Sequence, residues 1–200
     1  MVIGLIVEGR SEVESTRILL QRIFEYLELD YVEVARPFRV ARNSIVREGK
    51  LENAISLLVR DRRNIDCILV LLDADDDCPV ELGMDLLGRC RRCTNIPTRV
   101  VIANREFEAW FLGSKTSLRG IRGIRIDAEI PADPENIRGA KEHLSRNMIG
   151  RRYIEVDDQP ALAARMDINL AFRKCRSFRK LCTDLRALYE EINMNNPMDI

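Results

Sequence analysis

The segment DCILVLLDADDD, residues 66–77, decides the fold class. Its apolar run from Cys67 to Leu72 contains no polar residue, which is typical of a strand covered on both faces within a parallel sheet. On either side of it, strand-like and helix-like patterns alternate from residue 2 to about residue 112. This alternation predicts an α/β domain in which a mostly parallel, Rossmann-like sheet carries helices on both faces.

Hydrophobic periodicity and turn residues predict the other elements. The predicted strands cover residues 2–7, 31–35, 67–72 and 99–103. The predicted helices cover residues 12–29, 51–62, 79–92, 135–146, 160–172 and 177–192. We expect a single domain over residues 1–200. It consists of an α/β core at 1–113 and, at 114–200, a loop followed by a helix-rich C-terminal extension.

The charge balance excludes a global electrostatic attraction to nucleic acid or to anionic membranes. The chain has 32 Lys and Arg against 32 Asp and Glu, so any such binding must use a local patch. The first apolar run stops at Glu8, far short of a signal-peptide core or a membrane-spanning helix. We therefore expect a cytoplasmic protein with no membrane contact, whose six cysteines are free thiols.

A zinc site is not expected, although Cys90 and Cys93 form a C-x-x-C pair. Cys78 and His143 could join this pair, but the spacings are irregular and there is no second C-x-x-C pair. Buried or free thiols are the expected state of these cysteines. No organic cofactor is expected either.

Carboxylates follow two of the predicted strands. Glu8 comes after the first strand, and the run DADDD begins at Asp73, at the end of the central strand. The carboxyl ends of parallel strands meet at one edge of a sheet. In an extended chain Asp73, Asp75 and Asp77 would point to the same side. Clustered carboxylates suit a hard divalent cation, so this pattern predicts an Mg²⁺ or Mn²⁺ site; the alternative is a set of solvated loops.

A further pair of acids, Glu106 and Glu108, follows the predicted strand at 99–103. On a helix the two side chains point in nearly opposite directions, whereas on a strand they share a side. Both are candidate ligands. If the helix begins at Asn104, only one of them can face the acidic cluster, and the sequence does not decide which.

The stretches VEGRSE and LLDADDD together resemble the Toprim signature, an acidic residue after the first strand and a D-x-D after a later one. The chain more closely resembles a bacterial Toprim-like group, domain-of-unknown-function family 4276. The matching stretches extend from the first strand to about residue 182. They are VEGRSE, RPFRVARNSIV, LLDADDDCPVELG, ANREFEAWFL, SLRGIRGI, DPENIRGAKEHLS, DQPALAARMDINLA and SFRKL. The chain departs from the family pattern at Ser44, where a Lys is usual.

The resemblance implies a Toprim-like fold and Mg²⁺-dependent phosphodiester chemistry. By position, Glu8 would be the acid/base glutamate, Asp73 and Asp75 would bind metal, and Glu12 would be the additional acid of the overcoming-lysogenization-defect nucleases. Asp77 belongs to the family pattern and is a further candidate ligand. Glu106 and Glu108, in the stretch REFEAW, would bind a second metal.

The resemblance also implies partners. These are a nucleic acid, with DNA favoured over RNA, and an ABC/AAA-type ATPase encoded nearby, in a bacterial defence system; a homodimer is left open. Local clusters of basic residues are the candidate nucleic-acid contacts. They are Arg36, Arg39, Arg42, Arg105, Arg119, Arg122 and Lys141. The alternative for each cluster is pairing with the abundant carboxylates of this chain, or a position on a solvated helix face.

Three functions remain open on the sequence. The first is a metal-dependent nuclease acting on a nucleic-acid backbone. The second is a non-catalytic metal- or nucleic-acid-binding module that regulates an ATPase partner. The third is a different phosphoryl enzyme, for example one acting on nucleotides or primers.

Overall fold

The computed structural model describes residues 1–61 and 64–195. Within these ranges the strands are β1 (Val2–Val7), β2 (Glu33–Val34), β3 (Phe38–Arg39), β4 (Cys67–Asp73) and β5 (Thr98–Ala103). The first four helices are α1 (Glu12–Tyr26), α2 (Arg42–Ile45), α3 (Lys50–Asp61) and α4 (Pro79–Cys93). The helices that follow the sheet are α5 (Ala109–Gly113), α6 (Ala140–Arg146), α7 (Glu155–Ala163), α8 (Ile168–Lys174) and α9 (Arg176–Asn195).

The sheet is parallel throughout the described residues, in the order β2-β1-β4-β5, and β3 also pairs with β1. The central strand β4 is buried along its whole length. It lies between β1 and β5, with Leu71 opposite Val7 and Asp73 opposite Ala103. The predicted parallel α/β sheet is therefore confirmed, and the carboxyl ends of β1, β4 and β5 share one edge.

Side chains alternate between the two faces of the sheet. In β4, Leu69 and Leu71 belong to a core cluster with residues of α1, α5, α8 and α9. Val70 and Leu72 belong to a second cluster with residues of α3 and α4. A strand buried on both faces lies between two helical layers, which confirms the prediction of helices on both sides.

The C-terminal helices pack on the same core as the sheet. The indole of Trp110 in α5 meets Phe178 of α9 edge to face, with ring centroids 5.2 Å apart, and its Nε1 donates to Ser177 Oγ at 2.8 Å. The predicted helical C-terminus is thus confirmed. The single-domain assignment and the division at residue 113 stay predictions.

Some predicted elements are wrong in their bounds. The predicted helix 160–172 is two helices, because Asp167 caps a new helix by accepting from the Leu170 amide at 2.8 Å. The predicted helix 135–146 is a 3-10 turn, Pro134–Asn136, followed by α6. The first helix ends at Tyr26 rather than at residue 29, and the last residue of the predicted helix 51–62 lies outside the described residues.

The sheet edge beyond β1 also differs from the prediction. The predicted strand 31–35 is only the two-residue β2, and a second short strand, β3, follows after Pro37. Proline has no amide hydrogen to donate to a sheet, so a break in pairing at Pro37 is expected, but the sequence did not reveal that pairing resumes. Within the described ranges, no helix combines the length and the apolar character needed to cross a lipid bilayer.

Candidate metal centre

Three carboxylates from different elements converge at the carboxyl edge of the sheet. Glu8 follows β1, Asp73 ends β4, and Glu12 lies in the first turn of α1. One oxygen from each lies within 4.8 Å of the others. Glu8 and Asp73 meet, as expected, because their strands are hydrogen-bonded neighbours in the sheet. We call Glu8, Glu12 and Asp73 the acidic triad.

Glu12 is held by the turn that joins β1 to α1. Its Oε2 accepts a hydrogen bond from the Glu8 amide at 3.1 Å, which folds the carboxylate back over the strand end. A Cβ at Gly9 would lie 2.7 Å from Glu12 Oε1, closer than real Cβ contacts allow. Glycine at position 9 therefore leaves the space that the Glu12 carboxylate occupies.

Asp73 is fixed from the neighbouring strand. Its Oδ1 accepts from the Phe107 amide at 2.7 Å, in the turn that follows β5. The Asp73 side chain is almost completely buried, and no cationic side chain forms an ion pair with it among the described residues. Its closest polar partner is therefore a main-chain amide, and Lys141 attracts it only from a distance.

A fourth carboxylate, Glu108, lies behind the triad and is fully buried. Its Oε1 accepts from the Tyr153 hydroxyl at 2.9 Å and from Gln159 Nε2 at 3.0 Å. Gln159 Oε1 in turn accepts from Ser15 Oγ of α1 at 2.7 Å. This chain of hydrogen bonds ties α1 and α7 to the loop after β5 and holds the carboxylate in place.

Burial raises the pKa of every one of these four groups. It raises the pKa of Glu12 to about 7, with repulsion from Glu8 and Glu108 acting in the same direction. It also raises the pKa of Glu108 to about 7, against the attraction of Lys141. Burial and repulsion from Glu12, Glu108 and Glu8 raise the pKa of Asp73 well above its usual value. Burial raises the pKa of Glu8 too, and Asp75 adds to this increase.

The residues of the centre fit a divalent cation. Glu8 Oε2 and Glu108 Oε2 are buried without a hydrogen-bond partner among the described residues, and a buried charge without a partner is costly. The triad offers only oxygen donors, which suit Mg²⁺ or Mn²⁺ rather than softer ions. The buried triad can therefore bind a divalent metal.

The aspartates after Asp73 lie outside the triad, and the assignment of Asp75 and Asp77 as metal ligands stays a prediction. The strand ends at Asp73, and Asp75 adopts a left-handed backbone with φ of 52°. The turn therefore directs Asp75, Asp76 and Asp77 to the surface, where all three are exposed. Asp75 still lies near enough to raise the pKa of Glu8.

Glu106 and Glu108 separate as a helical turn requires. Glu106 Oε1 accepts from the Ala140 amide at 3.1 Å, at the first residue of α6. Glu108 instead points inward, where its charge raises the pKa of Asp73. Of the two candidates, only Glu108 is placed beside the triad.

Most of the candidate basic residues pair with carboxylates. Arg42 Nη2 lies 2.5 Å from Asp77, and Arg105 Nη1 lies 3.3 Å from Asp76. Three more candidates form ion pairs away from the turn at residues 75–77. Arg119 pairs with Glu129 at 3.1 Å, Arg122 with Asp158 at 2.7 Å and Lys141 with Glu155 at 2.5 Å.

Two of the candidate basic residues, Arg36 and Arg39, are exposed around β3. Arg138, which sequence reasoning passed over, lies 2.9 Å from Asp76 at the rim of the centre. Its motif, DPENIRGAKEHLS, was the available signal. Tyr153 and Gln159 were also missed, because nothing in the local sequence shows that they contact Glu108.

The cysteines do not gather into a cluster with the histidine. Cys90 is buried, and Cys93 Sγ donates to the carbonyl oxygen of Cys90 at 3.2 Å. His143 lies beside Lys115 instead, with 3.2 Å between Nε2 and Nζ. All six cysteines are free thiols.

A family model described as "Domain of unknown function (DUF4276)" matches residues 7–186. The chain belongs to this family. Comparisons with curated proteins and with solved structures find no match. In this DUF4276 protein, the matched range contains the whole acidic triad together with Glu108, Tyr153 and Gln159.

Proposed function

We propose that the protein is a Mg²⁺- or Mn²⁺-dependent nuclease that hydrolyses phosphodiester bonds in a Toprim-like site. The observation that supports this most strongly is the acidic triad, buried at the carboxyl edge of a parallel sheet, where α/β proteins place their sites. Glu8, Glu12 and Asp73 would hold the cation. A divalent cation supplies Lewis-acid stabilisation of the negative charge that develops on a phosphate during its hydrolysis.

The side chains of the centre have distinct parts in this proposal. Glu8 or Glu12 would accept a proton from the attacking water, or would orient that water through the cation. Glu108 supports the triad from behind. Tyr153 and Gln159 hold its carboxylate by donating hydrogen bonds to it, and it does not contact the substrate.

Substrate contact is assigned to the cations around the opening of the centre. Arg42, Arg105 and Arg138 pair with the exposed aspartates of the turn, and a phosphate can replace these exposed partners at modest cost. Arg36 and Arg39 extend the same basic surface around β3. DNA is the proposed substrate.

The wider biology is proposed from the Toprim resemblance. We assign the protein to the cytoplasm, as the effector of a bacterial defence system in which a nearby ABC/AAA-type ATPase is its partner. The pairing of Arg42, Arg105 and Arg138 with exposed aspartates favours a second candidate, a binding module that holds metal or nucleic acid and regulates that ATPase without cutting.

The test is a plasmid-nicking assay with purified protein and Mn²⁺, with and without the neighbouring ATPase. We expect wild type to nick, and Asp73→Asn and Glu8→Gln to lose nicking, because each removes one charge from the triad at nearly constant shape. Asp76→Asn is the matched control, since Asp76 lies in the exposed turn, and it should nick like wild type. Nicking by the triad variants at the wild-type rate would refute the site. A wild type that binds Mn²⁺ yet never cuts would favour the binding module.

A further inference from the structure

A concave site lies along the outer edge of β5. It encloses about 750 Å³, within the range of small-molecule sites. One wall is α4 and the other is the start of α9, while the loop at 132–136 closes one end. Neither the acidic triad nor Glu108 lines this cavity, which we call the β5 cavity.

The floor of the β5 cavity presents unpaired main-chain groups. Ile68 donates to Pro97 and Ala74 donates to Ala103, each at 2.9 Å. The period of two along a strand therefore turns the amides and carbonyls of Val100 and Ile102 away from β4, toward the cavity. Both residues are only 4% exposed, and no hydrogen bond to these outward groups is found among the described residues.

Buried main-chain groups are almost always hydrogen-bonded. The two residues offer alternating donors and acceptors at the bottom of a cavity, and a ligand with a planar hydrogen-bonding edge is complementary to them. The nearby side chain of Asn104 adds an amide to the same floor.

The two walls differ in chemistry. On α4, Val80, Met84 and Leu87 follow one another at helical spacing and line the cavity. Val80 is 62% exposed and Met84 is 70% exposed, so an apolar surface is left open to a ligand. Large apolar side chains that are contiguous and exposed mark binding sites more often than chance.

The opposite wall is cationic. Lys174, Arg176, Arg179 and Lys180 line it, and all four are exposed. Lys180 pairs with Asp184 at 2.5 Å, whereas no ion pair is formed by the other three within residues 1–61 and 64–195. Glu135, which also lines the cavity, is already engaged: it accepts from the Arg176 amide at 2.6 Å and from the Ser177 amide at 2.9 Å.

We propose that the β5 cavity binds a nucleotide. The base lies against Val80, Met84 and Leu87, with its hydrogen-bonding edge on the main chain of Val100 and Ile102. The phosphates lie against the cationic wall, where Arg side chains provide forked donors for phosphate oxygens. An apolar ligand would leave that wall unused, and inorganic phosphate would leave the apolar wall and the strand edge unused.

The nucleotide can be free or the end of a nucleic-acid chain, and the experiment separates these sources. Isothermal titration calorimetry is run on the full chain in EDTA, so that no divalent cation at the acidic triad contributes and the outcome is independent of the proposed nuclease activity. The titrants are ATP, adenosine, inorganic tripolyphosphate and a twelve-residue deoxyadenosine oligonucleotide.

ATP is expected to bind at least about tenfold more tightly than adenosine or tripolyphosphate, because only ATP uses both walls. Tighter binding of the oligonucleotide, lost in the same variants, would assign the site to a chain end. Absence of binding by both ATP and the oligonucleotide would overturn the proposal, as would equal binding of ATP and tripolyphosphate.

Variants locate the binding. Arg179→Glu and the exposed Met84→Asn should each weaken ATP by roughly tenfold or more. Arg186→Glu is the matched control, since Arg186 is exposed on the same helix but lies outside the cavity, and it should bind like wild type. Circular dichroism checks that the variants fold. Equal losses in Arg186→Glu and Arg179→Glu would overturn the assignment to this cavity.

A readout on the main chain tests the position of the base. Amide hydrogen exchange measured by NMR should slow at Val100 or Ile102 when ATP is added, since a new acceptor would cover an unpaired amide. Unchanged exchange at both residues, in a protein that binds ATP, would refute the placement of the base on the strand edge.

Discussion

The acids that follow β1 and β4 form two regions with opposite electrostatic environments. In the acidic triad, Glu12 and Asp73 are buried and Glu8 is half-buried. No ion pair to the triad is found among the described residues, and the pKa of each carboxyl is raised. The turn at residues 75–77 is exposed, and its aspartates pair with Arg42, Arg105 and Arg138. Acid-rich sequence alone does not make a metal site. Buried carboxylates without an ion-pair partner can be neutralised by protons, which their raised pKa values favour, or by a bound cation.

Metal binding should separate the two regions most strongly. Glu12→Gln removes one carboxylate from the triad and should weaken Mn²⁺ binding by on the order of 100-fold. Glu14→Gln is the matched control, because Glu14 lies on the same helix but is exposed. Calorimetric titration with Mn²⁺ compares the two variants with wild type. Similar affinities in all three proteins would remove Glu12 from the centre.

The pH dependence of stability should show the cost of burying the triad. The pKa of Glu12 is raised from 4.5 to about 7 in the folded protein, so between these values the folded state binds more protons than the unfolded state. This carboxyl therefore stabilises the fold least above pH 7, and its contribution to the free energy of unfolding falls as pH rises through that window.

Urea unfolding in EDTA at pH 5 and pH 8 measures this effect. Glu12→Gln should gain stability relative to wild type by ~2 kcal/mol between the two pH values, because glutamine has no charge to bury. A constant difference between the two proteins would mean that Glu12 is not destabilised by burial. Added Mn²⁺ should reverse the trend in wild type, since the cation binds the deprotonated carboxylates.

The sequence predicted part of this arrangement and left part of it open. The unbroken apolar run at Cys67–Leu72 predicted a central parallel strand. If the first strand is its neighbour, Glu8 and Asp73 meet at one edge of the sheet, and the structure has this arrangement. The left-handed backbone at Asp75 was not predictable from the run DADDD, because the turn includes a contact distant in the sequence: the Asp75 amide donates to the Arg105 carbonyl oxygen at 2.9 Å. The choice between Glu106 and Glu108 likewise depended on where the helix after β5 begins.

Removing the hydrogen bond that holds Glu108 behind the triad should have the next largest effect. Tyr153→Phe deletes a hydrogen bond to the buried Glu108 carboxylate and should lower the free energy of unfolding by ~1–2 kcal/mol. Tyr26→Phe serves as the control, because the Tyr26 hydroxyl only reaches Asn169 at 3.4 Å on the surface. Denaturant titration of both variants gives the comparison. An equal, small effect of the two changes would show that Tyr153 does not support Glu108.

The exposed turn should respond least. Asp76→Asn breaks two exposed ion pairs, with Arg105 and Arg138, and surface pairs of this kind contribute ~0–1 kcal/mol each at most. We expect a change in the free energy of unfolding below about 0.5 kcal/mol, smaller still at high salt because the charges are screened. A larger, salt-independent loss of stability would place the turn among the structural acids.

Anomalous diffraction from crystals soaked in Mn²⁺ tests the central claim most directly, because it locates the ion among individual carboxylates. The account predicts one dominant peak in contact with Glu8, Glu12 and Asp73, absent from crystals of Asp73→Asn. A peak confined to Asp75, Asp76 and Asp77, or no peak in wild-type crystals, would contradict it.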